Sequence, residues 1–405
     1  MTRIGGDGLE RVRSYAHRAE HLVVGLMTGT SVDAVDAALV RFRGMGLEST
    51  HELLAYRETP LEASLRREVL DVAAAPSLPP ERLMRLDAAL GEWYAAAVLE
   101  LLAGVKLGPP AVDAVGLHGQ TVRHVSRKEG GGQALTLQLG SAAIVAERTG
   151  IAVVSDFRSR DTAAGGEGAP LVPLVDWWLF RSPAESRVLL NLGGMANLTY
   201  LPAAGGLDDL LAFDTGPGNA VLDELVAMHS GNTRRVDHEG AEAARGRASA
   251  PLLEELMADP FFSLRPPRST GRERFGRSYA EAMQDRAREL GLGEHDVLAT
   301  AVELTAASVA EAIRRFVVPR AGVNVVFASG GGCSNPTLLS ALARRLAPIR
   351  LERVEALGMP SGGKEALAFA FLAHQTLCGR PGNVTGATGA THPVVLGHIT
   401  PGATS

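Results

Sequence analysis

The apolar positions of this chain gather in short runs that stop abruptly at glycine and polar residues. Residues 22–26 and 35–42 are two such runs and predict strands, with MTGTSVDAVD as the tip of the hairpin between them. Residues 61–104 read as mostly helical; within them 81–102 holds good helix formers, one glycine (Gly91) and no proline. AVDAVGLHGQTVRH predicts a strand ending at Leu117, and ALTLQLGSAAIVAERTG a strand, a glycine turn and a short helix. A buried-type strand follows at 151–154. The second half restarts the pattern: SRVLLNLGGMANLTYL is strand, Gly-Gly turn, strand, an echo of the first hairpin. LLAFDTGPGN then runs from an apolar stretch ending in Asp214, through a glycine turn, into a helix with Val221, Leu222, Leu225 and Val226 on one face. Residues 230–276 are polar and glycine-rich and read as insertions at a cleft or a subunit contact. Val302, Ala306, Val309, Ile313 and Phe316 mark one face of a long helix. VNVVFASGGGCSNPTLLSALARRL predicts strand, triple glycine and helix, with Asn335 as the cap and Pro336 at the first position. Residues 364–377 are apolar enough for a buried helix, and the tail beyond them predicts an irregular surface cover.

A length of 405 residues exceeds one typical domain and predicts two. With 46% hydrophobic and 21% charged residues the chain has globular composition. The net charge of -5, without a basic block, gives no sign of a nucleic-acid partner. Two cysteines, Cys333 and Cys378, argue against a disulfide framework and fit a reducing cytoplasm. No apolar run reaches the ~18 residues of a membrane span. The first twenty residues lack an apolar signal core and read as a loosely held extension.

Candidate chemistry sits where the strands end. At the first hairpin tip Gly29, Thr30, Ser31, Asp33 and Asp36 combine hydroxyls, a backbone freed by glycine, and acids that hold Mg²⁺, usually through water. Polar hairpin tips are also common without chemistry. The TGPGN turn sets backbone N–H groups at a helix N-terminus, which suits a phosphate, with Asp214 beside it. The plain alternative is an aspartate capping that helix. Asp156, Arg158, Arg160 and Asp161 crowd one strand end and must pair with one another or with a ligand. His118 and Gln120 follow another strand end, where a ligand is met, although a lone histidine there is more often structural. The bare backbone of Gly330, Gly331 and Gly332 offers a flat surface to a purine.

The order of these glycine turns resembles the actin, Hsp70 and sugar-kinase superfamily. MTGTSVDAVD, HGQTVRH, DFRSRDTAAGGEGAPLVP, LNLGGMANL, FDTGPGN, STGRERF, SGGGCSNP and KEALAFAFLA together resemble the anhydro-N-acetylmuramic acid kinases, from about residue 22 to the end. The resemblance implies an α/β fold of two actin/hexokinase-like (ribonuclease H-like) domains around a nucleotide cleft. Its boundaries would be an extension at 1–20, a first domain at 21–155 plus 364–405, and a second at 156–363, with hinges near 155–168 and just before the last helix. It implies ATP with Mg²⁺, a homodimer, and hydrolytic opening of a 1,6-anhydro sugar coupled to phosphorylation. Asp214 matches the family's water-activating aspartate; Asp161 and Asp156 are the other candidates. Gly29, Thr30, Ser31, Val32, Asp33, Ala34, Val35 and Asp36 would hold phosphates, with Asp33 toward the metal. Gly193, Gly194, Gly216, Gly218 and Asn219 form the second phosphate region, and Gly330–Gly332 lie near adenosine. His118, Gln120, Arg158 and Asp161 would line the sugar side. The chain departs from the family pattern at Ala34, where glycine is usual, at Glu167, where glutamine is, and near Ser361, where an aspartate is missing. An ordinary sugar kinase, an ATP-gated scaffold and a sugar-sensing regulator are the competing readings; the last would need a DNA-reading helix pair that the N-terminus lacks.

Overall fold

A computed structural model describes residues 7–29, 32–358 and 363–402. The chain forms two units, Met1–Val175 with Gly362–Ser405, and Asp176–Ser361. Residues 156–175, grouped with the second domain on sequence, therefore belong to the first unit, because Asp161 and its neighbours bond to the returning tail (below).

In the first unit β1 (Glu20–Thr28), β2 (Ala34–Arg43) and β3 (Thr50–Pro60) form an antiparallel meander. β4 (Ala114–Leu117) runs parallel to β1, and a side ribbon of β5 (Gln120–Val125) and β6 (Leu135–Leu139) precedes β7 (Ala152–Ser155), which is parallel to β4. The central strands are buried on both faces, which is why they read as continuous apolar runs. Val24, Leu26, Val115 and Leu117 pack with Leu86, Leu90, Tyr94 and Val98 of the helix Pro80–Gly104. The alternate residues Gly25 and Gly116 meet the helix Gly363–Leu377 instead. A Cβ on Gly25 would overlap the carbonyl oxygen of Ala366, and one on Gly116 that of Phe369. The helix thus lies with its backbone against the sheet, and nearly every side chain on it is buried.

The second unit repeats the plan. β8 (Arg187–Leu192), β9 (Met195–Leu201) and β10 (Leu211–Pro217) form the meander, while β11 (Val325–Ser329) runs parallel to β8 and β12 (Arg350–Arg353) parallel to β11. The first sheet runs β3-β2-β1-β4-β7 and the second β10-β9-β8-β11-β12, the same order of an antiparallel meander followed by two parallel strands. This is the ribonuclease H-like arrangement, so the fold is the two-domain actin/hexokinase-like class predicted from sequence. The core is spanned by the helix Glu294–Ala312, and the predicted apolar face continues through Ile313 and Phe316. Asn335 caps the helix Pro336–Leu346 by accepting from Leu338 N–H at 3.0 Å. Residues 230–276 are not merely surface insertions: Phe261, Phe262 and Phe275 are buried in this core.

The tail is more than a surface cover. β13 (His398–Thr400) extends the first unit's sheet antiparallel to β7. The extension is also held: Tyr15 is buried and its hydroxyl lies 2.8 Å from His374 Nδ1, while Arg18 pairs with Asp113 at 2.7 Å. No described helix is long and apolar enough to cross a membrane.

Candidate active site

Asp214 does not end its strand as the sequence suggested. β10 continues to Pro217, and its pairing with β9 shifts between Asp214 and Gly216. This bulge turns the Asp214 side chain out of the regular ladder. Nor does Asp214 cap the following helix. Its Oδ2 accepts from Thr270 N–H at 2.8 Å, and no described residue donates to Oδ1. Burial pushes this carboxyl up to about 6, against the pull of the Thr270 N–H and the Arg268 guanidinium. A carboxylate with one oxygen fixed, the other unengaged and a value near neutrality is suited to taking a proton.

The glycines of TGPGN serve packing first. Gly216 has φ +149°, and a Cβ there would stand 2.7 Å from Phe262 Cε1. A Cβ on Gly218 would overlap the carbonyl oxygen of Gly193. The N–H groups of Gly218, Asn219 and Ala220, expected to face a phosphate, instead donate to Gly194 O (2.9 Å), Gly193 O (2.9 Å) and Gly194 O (3.0 Å). The β8–β9 tip and the helix N-terminus therefore interlock. Gly193 and Gly194 N–H have no acceptor among the described residues, so the hairpin tip, not the helix end, offers free donors. Beside it lies a cation that sequence reasoning passed over: a Cβ on Gly194 would be 3.6 Å from Arg272 Nη2. Arg272 also lowers the carboxyl of Asp223, which burial raises to about 6.

At the other hairpin tip Thr30 and Ser31 lie outside the described residues. Val32 adopts φ +55°, an uncommon state for a β-branched side chain, and is buried. Ala34 and Val35 already belong to β2 and pair with Pro60 and Thr59, and Ala34 has no positive φ. A glycine is thus not required at 34. Asp33 is exposed and pairs with Arg66 at 2.8 Å. Asp36 accepts from the Tyr56 hydroxyl, and burial, with Glu58 and Glu365 nearby, raises it to about 6. Gly330 (φ +88°) and Gly332 are packed against Asn191 and Leu192, whereas Gly331 meets nothing within 4 Å. Only the middle glycine presents open backbone.

In the first unit a cavity of about 200 Å³ opens at the C-terminal ends of β4 and β7, lined by His118, Gln138, Ser155, Asp156 and Ser159 among others. Arg158 donates to His118 Nε2 from Nε (3.1 Å) and Nη2 (2.8 Å) and to Gly168 O at 2.8 Å. His118 is therefore the Nδ1–H tautomer, held well below its ordinary value by burial and then by Arg158. Its Nδ1 is buried without a partner among the described residues. Asp156 stands at φ +53° and accepts from Ser159 N–H and Oγ. Asp161 is turned inward and fully engaged. It accepts from Gly168 N–H at 2.8 Å, Asn383 Nδ2 at 2.6 Å and Thr388 Oγ1 at 2.7 Å. Gln120 is buried and spends its amide N–H on Thr121 O. Of the predicted sugar-side residues, only His118 lines the cavity; Gln138, Ser155 and Ser159, which do line it, carried no sequence signal beyond their strand-end positions. Glu167, the departing residue, accepts from Arg127 N–H at 3.0 Å. Ser361 lies outside the described residues, and among them no cluster of three metal-ligating side chains occurs.

The sequence model of the family described as anhydro-N-acetylmuramic acid kinase matches residues 21–402. A relative of that name from Caldanaerobacter subterraneus subsp. tengcongensis is 41% identical, covering 96% of this chain and 100% of the relative. One from Salinibacter ruber is 42% identical over 94% and 96% of the two chains. Among solved structures, a ROK family glucokinase from Streptomyces griseus aligns over 85% of this chain and 98% of its own, at 13% identity and a TM-score of 0.34.

Proposed function

The chain belongs to the anhydro-N-acetylmuramic acid kinase family, and from that premise we propose that it converts 1,6-anhydro-N-acetylmuramic acid to N-acetylmuramic acid 6-phosphate, with Asp214 as the base. It is a kinase, so ATP is the phosphoryl donor. In this reading Asp214 Oδ1 takes a proton from water as the water oxygen attacks the anomeric carbon. The anomeric C–O bond to the bridging oxygen breaks. That oxygen, left on C6, takes the γ-phosphoryl group, and ADP departs. No protein acid is needed on the leaving oxygen, since phosphorus captures it.

One observation carries the assignment: Asp214 is a carboxyl near 6 whose orientation is fixed at one oxygen while the other is unengaged. Asp161, saturated by three donors, has no such freedom. The phosphate-facing groups would be the two hairpin tips, Gly29 to Asp36 and Gly193–Gly194, with Arg272 adding positive charge. Mg²⁺ fits the first of these, because burial first and then Glu58 and Glu365 raise Asp36, and a cation would offset that loss of charge stabilisation. Asp36, with exposed Asp33, would hold the ion; its chemistry is to neutralise phosphate charge. The cavity at His118, Gln138 and Asp156 is the proposed sugar pocket, with His118 Nδ1–H as a fixed donor. Peptidoglycan recycling in the cytoplasm by a homodimer accompanies this reading.

The test is turnover of ATP and 1,6-anhydro-N-acetylmuramic acid in ¹⁸O water, read at early times. Label is expected in the anomeric hydroxyl of the 6-phosphate product. A phosphate ester in which the anhydro bridge survives, with no label at the anomeric carbon, means an ordinary sugar kinase. Asp214→Asn is expected to lower kcat by about 10²–10⁴ with ATP still bound; near-normal turnover removes Asp214 as the base.

A further inference from the structure

Arg268 is a buried guanidinium with no ion pair to a carboxylate among the described residues. Its Nη1 donates to the carbonyls of Phe261 (3.1 Å), Phe262 (3.1 Å) and Leu264 (2.9 Å). Its Nε donates to Asp214 O at 2.9 Å, and its Nη2 to Thr215 O at 3.4 Å. In return Asp214 N–H donates to Arg268 O at 3.1 Å. The rings of Phe213, Phe261 and Phe316 surround the cation with centroids 5.3, 4.8 and 5.3 Å away. A cation buried this deep and spent wholly on carbonyls is costly unless a negative charge is close by. The nearest candidate is the side chain of the residue whose backbone it grips.

We infer that Arg268 is the positioning residue for Asp214: it ties segment 261–270 to the bulge of β10, thereby sets Thr270 N–H on Oδ2, and keeps Oδ1 clear and ionised for water. This rests on Asp214 being the base. Arg268 and Thr270 lie 54 and 56 residues from Asp214 in sequence, so the grip is the device that makes a distant loop part of one carboxylate's setting. Thr270 supports the same point. Its N–H is the only donor from a described residue to the Asp214 side chain, and its hydroxyl oxygen is buried without a partner among the described residues. Arg268 adds its positive charge to that hydrogen bond, and both favour the ionised carboxylate against burial and the nearby Glu273, while Arg315 stands near Arg268 itself.

A mere staple and a charge-setting residue differ in pH behaviour. The dependence of kcat/KM on pH between 5 and 8.5 is compared for the unaltered enzyme, Arg268→Lys and Arg268→Gln, using ATP and 1,6-anhydro-N-acetylmuramic acid. Arg268→Gln is expected to move the acidic limb upward by about one pH unit, as loss of a nearby cation does. Its activity should fall about fivefold at pH 6 and recover at pH 8.5. Arg268→Lys, which keeps the charge, should hold the limb near its original place. A Gln variant that loses activity equally at every pH, with its limb unmoved, overturns the inference and leaves a structural staple. Should Arg268→Gln show no cooperative melt, Thr270→Pro, which removes the N–H donor together with the threonine side chain and leaves Arg268 in place, carries the test: its limb must also rise, and an unmoved limb overturns the inference. If Asp214→Asn keeps its turnover, the base assignment fails on its own account; if that variant is dead and the limb of Arg268→Gln stays put, only the positioning role fails.

Discussion

Asp214 is held at a thermodynamic loss. Its carboxyl stands at about 6 in the folded chain against 3.8 unperturbed, chiefly through burial. The sign follows from linkage: below 3.8 both states carry the proton and nothing is lost, whereas above about 6 the folded state must keep a charge that it disfavours. The cost is fully present at neutral pH and corresponds to about 3 kcal/mol. Asp214→Asn, which keeps an oxygen for Thr270 N–H, is therefore expected to be more stable than the parent by about 1–3 kcal/mol at pH 7.5, with the difference shrinking toward pH 4.5. Denaturant titration at the two pH values measures it, and an Asn variant less stable at pH 7.5 refutes it. The acid and its glycine turn were legible in LLAFDTGPGN. What holds the acid was not, because Arg268 and Thr270 sit in a polar stretch whose partners are backbone carbonyls, and hydrogen bonds to backbone leave no mark in residue pattern. The same blindness led the TGPGN amides to be read as free donors.

At the scale of elements, the helix Gly363–Leu377 rests on a glycine floor. Gly25 and Gly116 take this role through direct backbone approach, with no positive φ involved. A methyl at Gly25 meets a helix carbonyl that cannot swing aside, so the whole helix must lift. Gly25→Ala is expected to cost about 3 kcal/mol or more, beyond what a strand glycine gains from the swap. A melting temperature within a degree or two of the parent would contradict this. The sequence shows why such a helix is buried: its apolar residues leave no polar face. It does not show that two strands give up their side chains to admit it, since a glycine within an apolar run looks the same whether it bends or accommodates. The tail was misread for a related reason. Its polar Asn383 and Thr388 look like surface, yet they complete the bonding of Asp161 inside the unit.

For the molecule as a whole, the two units carry opposite acid responses. Burial holds His21, His118 and His374 below their ordinary values, His374 to about 3, all in the first unit. His374 is faced by the Tyr15 hydroxyl, the His21 ring and the Cys378 thiol; His21 also by Arg18 and Asp113; and His118 by Arg158. The His118 and His374 rings stay neutral when folded and take up protons when unfolded, so each costs up to about 1.4 kcal/mol per pH unit below 6.5, and His21 adds to the loss in the same direction. Asp36 offsets part of this loss. In the second unit Asp214 and Asp223, both near 6, gain stability over the same range. Hydrogen exchange followed by mass spectrometry at pH 7 and pH 5, corrected for intrinsic rates, should show protection falling in β1 and β4 while β8 and β11 hold. The reverse order would be evidence against this account. The repeated sheet order was only partly legible, through the two hairpins, because strand pairing is set by contacts that sequence spacing does not reveal.

The first unit is interrupted by the second, and this has a consequence during synthesis. As the ribosome passes residue 361, every strand of the later unit has been made in one continuous stretch. The earlier unit still lacks the helix that belongs on Gly25 and Gly116. Translation therefore finishes the second unit first, and the first unit waits half-built, its bare floor exposed to chaperones until the residues from 362 onward emerge.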